Sequence, residues 1–149
     1  MRLWRISNFA DLGGGGGLAA AGRWHSRGRR VVYLADHPAS ALLEIIVRRE
    51  VNTNDLPDKY QLLVVDTSPE VAFETVDAES LPASWRTDES VTRTYGDRWL
   101  GENHATLLRV PSAIVPLAWN WLLNPAHPLA NACMIVDVIV AEFDKRLFS

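Results

Sequence analysis

Apolar and polar residues alternate from Arg2 to Ser7 in "RLWRIS", the period of a half-buried strand, so a first strand is expected there. "DLGGGGGLAAAG" breaks the pattern with five consecutive glycines, Gly13 to Gly17. Glycine loses the most entropy on ordering, so this stretch reads as a mobile connector. Periodicity resumes in "RVVYLA", Arg30 to Ala35, whose β-branched and aromatic residues suit a short strand. "DHPASALLEIIVRRE" then changes to a helical period. Asp36 or His37 can cap that helix, and Pro38 is tolerated in its first turn. Ala39, Leu42, Leu43, Ile46 and Val47 form its apolar stripe, with Glu44 on the flank, and Arg48 and Arg49 suit the negative end of the helix dipole.

The second half of the chain holds more strand than helix. "YQLLVVDT", Tyr60 to Thr67, reads as a buried strand, and "DAESLPASW" as turns or a short helix. "DESVTRTYGDRWLGEN" predicts a helix capped by Asp88, with Val91, Tyr95, Trp99 and Leu100 at helical spacing. Gly96 weakens its middle by about 1 kcal/mol against alanine. "HATLLRVPSAIVP" predicts strands interrupted by Pro111 and Pro116, "NWLLNPAHPL" a loop, and "CMIVDVIVAEFD" a strong final strand. No internal repeat or composition shift divides the chain, so residues 1–149 read as one α+β domain.

Composition narrows the function classes. The chain has 149 residues, with 48% hydrophobic and 22% charged, enough for one domain with a real core. Its formal net charge of −3 argues against a nucleic-acid-binding surface. A single cysteine, Cys133, excludes an intrachain disulfide and a multi-cysteine zinc site. The N-terminus carries no apolar signal region and no apolar run spans a bilayer, so a soluble, cytoplasmic protein is expected. All but two of the fifteen basic residues are arginine, a preference that fits either phosphate binding or composition bias.

Several chemistries lack their residues. His25, His37, His104 and His127 show no paired ligand spacing, so no metal is expected. There is no GxSxG elbow, and Cys133 at the start of an apolar strand reads as a small core residue. The glycine run lacks a following Walker lysine, so it is a weak phosphate loop.

What remains is "GRWHSRGRRVVYLADHPASALLE", Gly22 to Glu44. Arg23, Arg27, Arg29 and Arg30 gather at its start, and Glu44 stands alone in "LLEII". Helical spacing by itself favours a surface ion pair between Glu44 and Arg48, contributing a few tenths of a kcal/mol. The alternative is a carboxylate that stabilises developing positive charge, as the oxocarbenium-like transition states of glycosidic cleavage require. An arginine for a diphosphate and an aromatic to stack a ring would complete a dinucleotide site, and Arg23 and Tyr33 are of those types.

This stretch, with the N-terminal "LWRI" and the later "LLRVPSAIVPLAWNWLLNPAHP", resembles the RES-domain family, the toxin half of bacterial Xre–RES toxin–antitoxin systems. The resemblance covers nearly the whole chain. It implies a compact fold like that of ADP-ribosyltransferase toxins and an activity that cleaves the nicotinamide–ribose bond of NAD⁺, which is substrate and not cofactor. By motif, Arg23 would bind the phosphate or ribose side and Tyr33 would pack at the nicotinamide end. Glu44 would stabilise the ribosyl cation, and Ser112 would hydrogen-bond the ligand or orient Glu44. Asn124 would help shape the pocket. His25 stands where many relatives carry asparagine, and the five-glycine run departs from the family loop. An Xre-like antitoxin is the implied partner and would leave DNA contact to itself; a homodimer is the other implied assembly. Two rivals to NAD⁺ hydrolysis or phosphorolysis stand beside it: transfer of ADP-ribose to a protein, and a non-catalytic antitoxin-binding module in which the tryptophans form an interface.

Overall fold

A computed structural model describes residues 1–48 and 58–148. In chain order the elements are β1 (Arg2–Ile6), α1 (Gly16–Ala19), β2 (Val32–Ala35), α2 (Pro38–Arg48), β3 (Lys59–Thr67), β4 (Phe73–Thr75), α3 (Glu89–Glu102), β5 (Leu107–Pro111), β6 (Trp119–Leu123) and β7 (Cys133–Glu142). One seven-stranded mixed sheet orders them β4-β5-β6-β2-β1-β3-β7, parallel only between β4 and β5.

The strand period of two sorts apolar residues onto the two sheet faces. Leu3, Val32, Leu34, Leu107, Trp121 and Leu123 enter one core cluster. Leu108, Val110 and Leu122, their neighbours in sequence, enter the other with Trp24, Trp85 and Trp99. Four of the six tryptophans are therefore core, while Trp4 and Trp119 are half-buried. The tryptophans are chiefly packing residues, not an exposed interface.

The sheet splays where the site lies. β1 meets β3 in five residue pairs and β2 meets β6 in four, but β1 and β2 are bridged only at Trp4 and Ala35. A cleft opens between β1 and β2, and α2 packs over both.

Several expectations change. α2 begins as predicted, with Pro38 first and the His37 Nδ1 accepting from the Ala39 N–H at 3.0 Å. Its buried residue, however, is Ala41, and Val47 is 51% exposed. The face turned to the sheet is Ala41, Glu44, Ile45 and Arg48, because the helix lies over a cleft and not a continuous core. Arg49 falls outside the described residues. "NWLL" is the end of interior strand β6, not loop; Pro125 breaks regular structure only after Asn124. The glycine run is packed: Gly14 and Gly17 are buried, and Gly16–Ala19 forms a helical turn. β7 forms as predicted, but as an edge strand beside β3, so Met134 and Val140 stay 62% and 60% exposed.

Gly96 has a reason beyond propensity. α3 presents Thr92, Gly96 and Trp99 as its buried residues, the i, i+4, i+7 positions of one face. A Cβ on Gly96 would lie 1.7 Å from the carbonyl oxygen of Trp24. Only glycine lets the Trp24 backbone run against α3.

Candidate functional site

α3 holds the segment Gly22–Ser26 residue by residue. The Arg93 Nε donates to the Gly22 carbonyl at 2.8 Å, and the Thr92 hydroxyl donates to the Arg23 carbonyl. Gly96 receives the Trp24 backbone, and Asp97 accepts from the Ser26 N–H at 2.9 Å and from its hydroxyl. The arginine-rich segment thereby reaches the splayed end of the sheet.

A cavity of ≈ 240 Å³ occupies the cleft. Its walls come from β1 (Trp4, Arg5, Ile6), the clamped segment (Arg23, Trp24), β2 (Tyr33), α2 (Glu44, Ile45, Arg48) and β6 (Asn120). Arg23, Tyr33 and Glu44 are thus brought to one cavity, from positions up to 21 residues apart in sequence.

Glu44 is held from across the cleft. Its Oε1 accepts a 2.7 Å hydrogen bond from the Asn120 Nδ2. It forms no ion pair with Arg48 among the described residues, so the simple i, i+4 surface pair is not what the helix builds. Arg48 instead stands with its guanidinium carbon 5.0 Å from the centroid of the Tyr33 ring.

Tyr33 is anchored through its hydroxyl. The Trp24 N–H donates to its Oη at 3.0 Å, and the His25 Nδ1 lies 2.8 Å away. Burial pushes the phenol up to about 12, so it is un-ionised at neutral pH. The same burial pushes His25 down, against a weaker upward pull from the Ala20 carbonyl, so the imidazole prefers its neutral form.

Arg23 is partly engaged. One guanidinium nitrogen donates to the carbonyls of Trp85 and Arg86 at 3.3 and 3.1 Å, and the other lies 3.8 Å from a Glu89 carboxylate oxygen. Arg5, which sequence reasoning did not single out, contributes a second cation. Its Nη1 donates to the Tyr33 carbonyl at 2.9 Å, and desolvation lowers its pKa. Neither Arg5 nor Arg48 forms an ion pair among the described residues, and both line the cavity.

Two expected residues lie elsewhere. Ser112, 6% exposed, is absent from the cavity wall. Its hydroxyl accepts from the Ile114 and Val115 N–H groups, both at 3.1 Å, because β5 ends at Pro111 and the chain turns there. The residue orienting Glu44 is Asn120. Asn124 also lies off the cavity: its Nδ2 donates to the Leu100 carbonyl and to Asn103 Oδ1, and its own Oδ1 accepts from the Ala126 N–H. It ties the end of β6 to the end of α3. Arg27, Arg29 and Arg30 are exposed and outside the cavity; Arg29 faces Asp97 at 3.5 Å.

Asn120 had a signal in the sequence. It is the one polar residue in "LAWNWLL", and a polar side chain in such a run must find a partner. Arg5 likewise interrupts "LWRI". No group of three or more His, Cys, Asp or Glu suited to a metal occurs among the described residues. No helix among them is long and apolar enough to cross a membrane.

The RES domain matches residues 2–144. The chain belongs to the RES-domain family. This RES domain is 44% identical over 153 residues to the Toxin Res of Pseudomonas putida, covering 99% of this chain and 100% of that one. It is 34% identical over 155 residues to the Prs ADP-ribosylating toxin of a Sphingobium species, covering 97% and 95%. Its fold is that of a chain in the crystal structure of the M. tuberculosis MbcT–MbcA toxin–antitoxin complex. There the TM-score is 0.73 at 16% identity, over 95% of this chain and 84% of that one. The expected α+β class is the one found, with one mixed seven-stranded sheet.

Proposed function

We propose that this RES domain is the toxin of a toxin–antitoxin pair and consumes NAD⁺ by cleaving its nicotinamide–ribose bond. The observation that carries this reading is Glu44, a carboxylate fixed by Asn120 inside a cavity that also presents an aromatic ring and arginines. A cavity of ≈ 240 Å³ takes one end of a dinucleotide and leaves the rest along the open cleft. The nicotinamide ribose lies at Glu44, the ring system packs near Tyr33, and the diphosphate meets Arg5 and Arg48, with Arg23 at the rim.

The chemistry follows from charge. The bond from the ribose anomeric carbon to the nicotinamide nitrogen breaks, and its electron pair neutralises the pyridinium. Positive charge develops on the ribose, where the Glu44 carboxylate stabilises it. Water attacks the anomeric carbon and releases a proton, giving ADP-ribose; phosphate in place of water gives the 1-phosphate. Asn120 keeps the carboxylate aimed while the charge changes.

Transfer of ADP-ribose to a protein is the second reading, favoured by the 34% identical Sphingobium relative, which is named an ADP-ribosylating toxin. It uses the same first step with a protein nucleophile. A formed cavity with a buried-edge carboxylate speaks against a module that only binds its antitoxin. The partner we propose is an Xre-like antitoxin seated over the cleft, supported by the fold match to a chain from a toxin–antitoxin complex.

The test is product analysis with labelled NAD⁺, with and without phosphate and with cell extract. Nicotinamide release that Glu44→Gln abolishes, in a folded protein, is expected. Native-rate consumption by Glu44→Gln rejects the reading, and label retained on protein selects the second.

A further inference from the structure

The five-glycine loop and His25 together terminate on Tyr33, and the direction of each hydrogen bond can be assigned. A carbonyl oxygen only accepts, so the 2.9 Å contact between the Ala20 carbonyl and His25 Nε2 makes Nε2 the protonated nitrogen. In the neutral ring Nδ1 then only accepts. Its partner at 2.8 Å, Tyr33 Oη, must donate. The Trp24 N–H already donates to that oxygen at 3.0 Å. The one hydroxyl proton of Tyr33 is therefore directed away from the cavity.

The arrangement has no room for side chains behind it. A Cβ on Gly22 would lie 2.5 Å from Tyr33 Oη and 2.9 Å from the His25 ring. A Cβ on Gly17 would lie 2.2 Å from the Arg29 carbonyl oxygen and 3.2 Å from His25 Nε2. The glycine run packs behind His25 and delivers the Ala20 carbonyl to it; it is a wall, not a phosphate loop.

We propose that His25 is a positioning residue that takes the Tyr33 hydroxyl proton, so that Tyr33 offers the substrate a ring face and no proton. The kinetic part of this inference rests on the NAD⁺-consuming reading above. In it, Tyr33 acts by packing and by seating Arg48, and proton donation to the leaving group is not its task.

The charged and titratable groups facing His25 are Arg48 on α2, which disfavours its protonation, Asp97 on α3, which favours it, and the neutral Tyr33 on β2. A proton on Nδ1 would reverse the bond and release the Tyr33 proton from His25.

Three measurements test the proposal. Nitrogen-15 spectra of the histidine rings should show His25 as the Nε2–H tautomer at neutral pH; an Nδ1–H or doubly protonated ring overturns it. In kinetics, His25→Ala should lower kcat/KM for NAD⁺ by about tenfold, the size of one lost hydrogen bond to a positioned group. His25→Asn, whose Oδ1 also accepts, should restore most of it. In a Tyr33→Phe background, His25→Ala should add little, since the hydroxyl it holds is gone. Full additivity of the two changes overturns the proposal, whereas a merely structural His25 gives that additivity. If the native protein leaves NAD⁺ intact, the functional reading fails by itself, and the tautomer spectrum alone decides the inference about His25.

Discussion

Asn120 on β6 donates a 2.7 Å hydrogen bond to Glu44 on α2, joining residues 76 apart across the splayed end of the sheet. Neither element contacts the other by backbone pairing, so this bond sets the carboxylate's direction. A hydrogen bond to a charged group contributes about 1.5–3 kcal/mol. Asn120→Ala should accordingly lower kcat for NAD⁺ consumption by about tenfold to a hundredfold. Thermal stability should change little, because Asn120 is half-buried at a cleft and not in the core. Steady-state kinetics with a melting curve checks this; unchanged kcat means that Glu44 is aimed by something else.

Arg5 and Arg23 should separate kinetically. Arg5 donates to one carbonyl and feels the charge of Asp11, whereas Arg23 faces Glu89 and two carbonyls. A fork that holds an anion bidentately is not replaced by a lysine. Arg5→Lys is expected to raise KM for NAD⁺ about tenfold with kcat nearly kept, the pattern of lost uniform binding. Arg23→Lys should mainly loosen the turn at Trp85 and Arg86. Equal KM effects from the two changes would remove Arg5 from the anion site.

The elements were legible where one periodicity ruled. β1, β3 and α3 follow their patterns: α3 buries one face at Thr92, Gly96 and Trp99, and β3 is covered on both faces at Leu63, Val64 and Val65. α2 was misread because its sheet-facing side carries Glu44 and Arg48, and the leucines beside them lie partly open. Its cavity face breaks the rule that apolar residues point inward, which is common at functional sites. "NWLL" was misread because two nearby prolines outweighed a four-residue run whose burial comes from strands distant in sequence. Arg23, Tyr33 and Glu44, which the motif groups, all line the cavity. Asn120 and Arg5 were missed because their role depends on the cleft between β1 and β2, which no local window contains.

Cys133 provides a pH test. It is 5% exposed, and burial pushes its thiol up to about 11. The thiolate is the reactive form, so at pH 8 the folded protein should resist alkylation. In denaturant the ordinary thiol should react quickly. Burial also favours the neutral thiol when folded, so stability from this group is lost only as pH rises past the ordinary thiol range toward its raised value. Mass spectrometry after iodoacetamide treatment checks it; rapid labelling of native protein at pH 8 would show an exposed thiol.

Asn124 should behave as a structural residue. It is 2% exposed, and its side chain makes bonds to Leu100, Asn103 and Ala126. Truncation leaves buried groups unpaired at about 1–3 kcal/mol each. Asn124→Ala should lower the unfolding free energy by about 2–4 kcal/mol while the surviving folded protein keeps its KM for NAD⁺. A large KM change without loss of stability would return Asn124 to the pocket.

Gly96→Ala sets propensity against packing. In an exposed helix the change stabilises by about 1 kcal/mol. Here the new methyl would stand 1.7 Å from the Trp24 carbonyl oxygen, a backbone atom that cannot rotate away. Relief requires α3 and the Gly22–Ser26 segment to part, which also disturbs the Thr92 and Asp97 bonds to that segment. Overpacking of this kind costs about 1–3 kcal/mol or more, so the clash wins and net destabilisation of about 2 kcal/mol is expected. Because the same segment carries Arg23 and His25, the variant should also bind NAD⁺ more weakly under conditions where it remains folded. Urea unfolding with substrate titration on the folded fraction measures both. A midpoint equal to or above the native one would mean that α3 can move off Trp24 freely, and that the clamp on Gly22–Ser26 does not position the site.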